Sequence, residues 1–513
     1  MDTGTTSKCH EISFLSKSQS IIGQPRKQFE ESIQTWCQEF GNRVGKVKTS
    51  FIKWENVVSI LEHLNVLQEM VKLCNVDSAS FAANTIVNSI TSPTVWEDIM
   101  VLTICSEELL VYVAGKTVAI SLTSFFQLES FHPYAKKLAD ALFKWILEVH
   151  LDSVKLTGGI KMLTTVIREF KIEEETIAFP STLLDELKEC LPLILQTLGK
   201  VENIYHVLKF IQVLLESTDD SELTLQLQQK YDQLLNSFAL VSSKPYYRYI
   251  YYKILGDLLP LDEDSFSELS IATSKAYINM LQTNEQILQK LIEHRPTCDG
   301  FAGTLDRNWK SNSNVVDGFS KVERMLIVGG VLRAAHVVSC NLGNNLISAA
   351  GIIISLLVSD GLSESLESAD TLLDLLFEQD DALVEMMLLI LLINIHLQRA
   401  SSEFEIFLCH PHHLFVGVLE RLCFDTSVLL DWLTSNETKF LLYFLKYLKY
   451  IASSFAEFKT ICNIVDQETF PSILSAFIQL KTTIEKLCAK NLFPYSVKPL
   501  IKNINTVLRL AEA

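Results

Sequence analysis

Turn-forming residues are scarce in this chain: its 513 residues hold 18 glycines and 12 prolines. A sandwich or barrel needs a turn roughly every 8–12 residues, so that scarcity argues against both and leaves room for many long helices. Paired cysteines are missing too. The eleven cysteines include no Cys-x-x-Cys, and Cys105, Cys340 and Cys423 sit inside apolar runs, as free thiols do in a reducing compartment. No uncharged apolar run approaches the ~18–20 residues of a membrane span. The nearest candidates, 346–358 and 386–397, read as helices buried on every side. Residues 1–20 are interrupted by polar side chains and lack a signal-peptide core. The expected location is cytoplasmic and nuclear, with no membrane partner.

Catalytic signatures are absent as well. There is no Walker-type phosphate loop, Gly-x-Gly-x-x-Gly, His-Glu-x-x-His or Gly-x-Ser-x-Gly. No enzyme, no cofactor and no catalytic residue is therefore expected. Cys409-His410-Pro411-His412-His413, with Cys423 beyond, is the one metal-like cluster. Zinc asks for four nitrogen or sulfur ligands in a tetrahedron, and this spacing matches no zinc module, so no metal is expected. Pro411 suits a helix entry instead. Gly329-Gly330 lacks the other glycines of a phosphate loop and reads as a close helix crossing, while His336 and His396 read as core or seam histidines.

What the chain does have is apolar periodicity. Hydrophobic residues make up 48% and charged residues 20%, the balance of a folded protein. Helical patterns recur at 181–198, 203–215, 223–238, 321–338, 363–377, 382–397 and 414–424, among others. Pro192 should kink or split the first of these. Pro245 opens an aromatic segment, Tyr246 through Tyr252, which predicts phenols at helix seams with wet hydroxyls.

The expected fold is all-α, an irregular armadillo- or HEAT-like α-solenoid of stacked helical pairs. A single irregular bundle is the competitor. The expected divisions are a loose tail at 1–27, a helical half at 28–295, a loop or linker at 296–318, a second half at 319–475, and a C-terminal hairpin at 476–513.

The net charge of −17 disfavours direct binding to nucleic acid. Its distribution is uneven: 360–385 holds nine acidic residues and no Lys or Arg. From Glu437 to the end, ten basic residues outnumber six acidic ones, a balance of +4.

The chain organises itself around 431–451. Thr434 and Glu437 have capping-box spacing. Leu441, Phe444, Leu445, Leu448 and Ile451 form an apolar stripe. Lys439, Tyr443, Lys446, Lys449 and Tyr450 fall on another side and are the predicted partner-binding flank, joined by Phe493 and Tyr495. In the second notable stretch, 487–500, Leu492 and Phe493 are placed to plug a turn, Pro494 to stop one helix, Ser496 to cap the next, and Pro499 to enter it.

Both stretches resemble the Lines family. The Leu-Asp-Trp-Leu…Glu-Thr-x-Phe-Leu…Tyr-Leu-Lys pattern from Leu430 is similar to that family's most recognisable block. The segment Leu487-Cys-Ala-Lys-Asn-Leu-Phe-Pro-Tyr495, followed by Pro499-Leu500, resembles its short C-terminal domain. The resemblance implies a non-enzymatic regulator in Wnt-linked developmental signalling and transcriptional control. Such a regulator binds other regulatory proteins, such as transcription regulators. The alternative reading is a helical transport or trafficking adaptor that carries basic cargo on the acidic 360–385 region.

Overall fold

In the computed structural model the described residues are 108–127, 132–149, 153–172, 181–199, 204–241, 245–283, 321–339, 365–399, 409–435 and 438–512, less positions 219 and 262, with scattered positions between 31 and 102. All regular structure among them is helical. The fold is all-α. Contacts divide the chain into two compact units, Met1–Leu240 and Val241–Ala513.

The first unit contains α1 (Glu108–Gln127), α2 (His132–Val149), α3 (Ser153–Ile172), α4 (Ser181–Leu195), α5 (Ile204–Ser217), α6 (Ser221–Gln229), α7 (Tyr231–Asn236) and α8 (Phe238–Val241). Val111, Ala114, Val118, Leu122 and Phe125 recur every three or four residues on α1 and are all buried, which makes one apolar face. That face meets the matching row on α3, Leu156, Ile160, Leu163, Ile167 and Phe170. Helix α2 packs on α4, and α3 on α5.

Pro192 lies inside α4 without splitting it. Its missing N–H falls in the last turn, and the chain then tightens into a 3-10 turn at Gln196–Gly199. The continuous helix expected at 223–238 is instead three short pieces. Asp220 caps the first by accepting the N–H groups of Glu222 and Leu223, each at 2.9 Å.

The second unit contains α9 (Pro245–Asp257), α10 (Glu268–Thr283), α11 (Lys321–Ser339), α12 (Ser365–Leu376), α13 (Asp380–Arg399), α14 (Pro411–Arg421), α15 (Thr426–Thr434), α16 (Phe440–Ser453), α17 (Phe455–Val465), α18 (Thr469–Ala489) and α19 (Lys498–Glu512). One succession of neighbours runs α9, α11, α13, α16, α19, and another α12, α14, α17, α18. Helix α13 is apolar nearly all round, and residues 386–394 are buried without exception, as expected for a helix enclosed by neighbours. The aromatic segment forms α9, and Tyr251 and Tyr252 are wholly buried, so their hydroxyls are not wet.

The Gly329-Gly330 pair does mark a close crossing. A Cβ on Gly330 would lie 2.6 Å from Tyr277 Oη and 2.9 Å from its Cζ, and one on Gly256 would meet the Gly330 backbone at 3.9 Å. Tyr277 is fully enclosed and has little room to retreat. Gly330→Ala should therefore cost about 1–3 kcal/mol by overpacking. Tyr277→Phe, which removes the nearest atom, should return part of that loss in the double variant. Urea midpoints of the single and double variants check both expectations, and strictly additive losses would contradict the clash.

The expected loop at 296–318, the tail at 1–27 and the apolar run at 346–358 lie outside the described residues. The expected single helix at 431–451 is two. Thr434 closes α15, its hydroxyl donating back to the Leu430 and Asp431 carbonyls at 3.0 and 3.2 Å, and so is not an N-cap. Asp425 caps α15 instead. Glu437 lies outside the described residues.

Candidate protein-interaction site

Helix α16 sits among α13, α15, α17 and α19, and what it buries determines what it can show. The buried face comprises Phe440, Tyr443, Phe444, Tyr447, Leu448, Tyr450 and Ile451. Full burial of each Phe, Leu or Ile there contributes roughly 1.5–3 kcal/mol. The stripe is thus centred on aromatic rings and not on Leu441 and Leu445, which lie at its edge. Tyr443 and Tyr450 belong to the core, not to an outer flank.

Two tyrosines of this face, Tyr447 and Tyr450, find polar partners at the start of α14. His410 precedes α14 in extended conformation, and its Nδ1 accepts the His412 N–H at 3.2 Å, capping the helix. Nδ1 therefore carries no proton. Nε2 lies 3.3 Å from Glu457 Oε1 and 3.4 Å from Tyr450 Oη. Gln398 of α13 donates to the same phenol at 3.1 Å.

Two residues on, His412 is buried, with Nδ1 3.0 Å from Tyr447 Oη and Nε2 2.9 Å from Ser454 Oγ. The Ser454 hydroxyl already donates to the Tyr450 carbonyl at 2.8 Å, so it accepts from His412. The network assigns the proton to Nε2, and Nδ1 accepts from Tyr447. Around this pair pack Phe415, 4.4 Å from the Tyr447 ring, and Phe458, 5.2 Å from the His412 ring.

Burial first, then the neighbouring His410 and His413, pushes the His412 pKa down to about 2. Burial and His413 push His410 down to about 4. Burial raises the phenols of Tyr443 and Tyr447 well above their usual range and that of Tyr450 to about 12. The Ser454–His412–Tyr447 line has the reach of a nucleophile, its base and an orienting group. A base must take a proton near neutral pH. His412 is held neutral far below that, and Ser454 spends its proton on backbone. The arrangement joins α14, α16 and the α16–α17 junction. Both His412 nitrogens are engaged, which leaves neither to hold a metal. Among the described residues no three His, Cys, Asp or Glu converge on a metal position.

The outward side of α16 is smaller than expected. Lys439 and Lys449 are exposed, with Leu442 between them 41% exposed. Lys446 is half-buried and close enough to His336 to disfavour its protonation. Beyond α18, Phe493 is half-buried and Tyr495 is 39% exposed. Leu492 does not plug the turn: it is 65% exposed. Sequence reasoning missed Tyr447 and Ser454, and had His412 only as a member of the metal-like cluster. The available signal was Tyr447 lying one turn from Tyr443, on the same face.

Residues 351–462 match the family model described as Lines N-terminus. The matched stretch is Lines-family sequence. It takes in α12 to α16 and nearly all of α17, and so contains the whole His410–His412 network. It also covers the 431–451 block, whereas the second Lines-like stretch, 487–500, lies past its end. The chain is similar to Protein lines of Drosophila melanogaster, 29% identical over 145 residues, which is 28% of this chain and 17% of that protein. It is similar to Protein Lines homolog 1 of Mus musculus, 49% identical over 55 residues, 11% of this chain and 7% of that protein. The Homo sapiens Lines homolog 1 is 47% identical over 57 residues, 11% of this chain and 8% of that protein. The aligned stretches thus span less than a fifth of these Lines proteins. Among the described residues, no helix is long and apolar enough to cross a membrane.

Proposed function

We propose that this chain is a non-enzymatic, Lines-type protein-interaction scaffold. It acts in Wnt-linked developmental signalling and transcriptional control by binding regulatory proteins in the cytoplasm and nucleus. The observation that carries the reading is the Lines-family match over 351–462. The buried network beneath it supports a scaffold, because its one serine–histidine pair is held neutral and its serine proton is committed to backbone. A solenoid arrangement of helical pairs is supported within the first unit by α1 on α3, α2 on α4 and α3 on α5, each helix meeting the second one along.

The contact surface on α16 is Lys439 and Lys449 with Leu442. The adaptor reading has less to draw on, since Arg421 already pairs with Asp370 at 3.1 Å and Asp374 at 2.7 Å. Reversal of both exposed lysines, Lys439→Glu with Lys449→Glu, should leave thermal stability within about 0.5 kcal/mol and reduce the proteins recovered by proximity labelling in cells. An unchanged set would remove this surface from the proposal.

A further inference from the structure

The turn that joins α18 to α19 is held rigid while showing apolar side chains to solvent. Asn491 closes α18 at a φ of 55°. The Asn491 N–H donates to the Cys488 carbonyl at 3.0 Å and the Leu492 N–H to the Leu487 carbonyl at 2.9 Å. This is the closure in which the residue in Leu492's place ordinarily folds back on its own helix. Here that residue is 65% exposed. Pro494 and Pro499 restrict the backbone on either side of Tyr495. The Phe493 and Tyr495 rings meet edge to face at 6.5 Å. Leu500, Ile504 and Val507 anchor α19 in the core against α16, so the turn is presented from a fixed base.

Charge around the turn runs against that of the whole chain. Between Glu485 and Glu512 there is no acidic residue, against a net −17 over all 513 residues. Lys486, Lys490, Lys498 and Lys502 are exposed. Among the described residues, no carboxylate lies within ion-pair distance of these four.

We propose that this turn is a docking site for an acidic, apolar peptide segment of a partner protein, with Leu492 and Tyr495 as its apolar contacts and the four lysines as its charged rim. The proposal deepens the scaffold reading and rests on it. Charge complementarity selects the occupant. A short acidic segment meets only the basic rim, within a screening length of about 8 Å at physiological salt. An extended anionic membrane or nucleic acid is disfavoured by the net charge of −17 on the chain. Exposed apolar side chains inside a charged rim are what a specific protein contact uses.

The test selects binders to the full chain from a phage-displayed library of random dodecapeptides. Enrichment of peptides that combine Asp or Glu with Leu, Phe or Trp is expected. Their affinity should fall about tenfold or more in Leu492→Ser/Tyr495→Ser, and separately in Lys490→Glu/Lys498→Glu. Circular dichroism of both variants should match the parent, since every substituted side chain is exposed. Enriched peptides that bind the variants as well as the parent, or no enrichment of acidic apolar peptides, would overturn the proposal. So would binding to phosphatidylserine vesicles that both variants abolish, because the turn would then serve a membrane. Loss of labelled partners in the α16 lysine variant alone would sink this site and leave the scaffold reading standing. A labelled set unchanged by either variant would remove both.

Discussion

Acidification from pH 7 to pH 5 should unfold the second unit well before its carboxylates titrate. Three histidines there are held neutral. Burial and then His396 push the His336 pKa down to about 4, and His410 and His412 lie at about 4 and about 2. In the unfolded chain each takes up a proton near pH 6.5. Between that value and its folded pKa the unfolded state therefore binds more protons, and stability must fall as pH falls. The contribution is complete above about pH 7 and is lost from about pH 6.5 down to about 4 for His336 and His410, and on down to about 2 for His412. Each histidine adds roughly 1.4 kcal/mol per pH unit there, so three together remove about 6 kcal/mol by pH 5.

That loss is comparable to the entire stability of many domains. The groups facing these histidines offer modest relief. Glu457 lies beside His410, and Glu263 raises the His336 pKa while Lys446 lowers it. Urea unfolding followed by far-ultraviolet circular dichroism across pH 5 to 8 measures the effect. His412→Gln should reduce the pH slope by about a third, whatever it does to the midpoint at pH 7. A midpoint that does not move between pH 7 and 5 would show that the histidines accept protons without unfolding.

Breaking the Arg248–Glu323 pair should be the costliest single change in the second unit. The guanidinium Nε lies 2.8 Å from Glu323 Oε1 and Nη2 lies 3.5 Å from Oε2. The two side chains are only 5% and 2% exposed. Removal of one partner leaves a charge buried away from water, at a cost of about 3–5 kcal/mol. Glu323 stands in the first turn of α11, where the helix N-terminus offers it some compensation. Arg248→Met should therefore cost less than Glu323→Leu. The double variant should recover most of the loss, because two apolar side chains of similar bulk need no compensation. A double-mutant cycle on urea midpoints decides the matter. Additive losses would mean that the two residues act independently despite their separation of 2.8 Å.

Much of the helical framework was legible in the sequence. Helices α11 and α13 lie within two residues of their expected ends, because long periodic or fully apolar runs leave little choice. The break between α15 and α16 was not legible. Residues 434–439 are polar throughout, and such a run suits the capped start of one helix as well as a connection between two.

The face of α16 was misjudged for a different reason. Tyrosine serves equally well at a wet seam or in a core, depending on whether its hydroxyl finds a partner. Those partners, His410, His412 and Gln398, lie more than 30 residues away along the chain. The same limit hid the exposure of Leu492, since a leucine in that closure normally packs inward. Of the predicted flank, Lys439 and Lys449 lie outside, Lys446 lies partly inside, and the two tyrosines lie within.

His410 gives α14 a start that depends on a lone pair. The nitrogen that receives the His412 amide is the same atom that a proton would claim. A single ionisation would thus fray a helix end and introduce a charge beside the aromatic core. Secondary and tertiary structure share one point of failure there, and loosening of α14 and loss of its packing become one cooperative event.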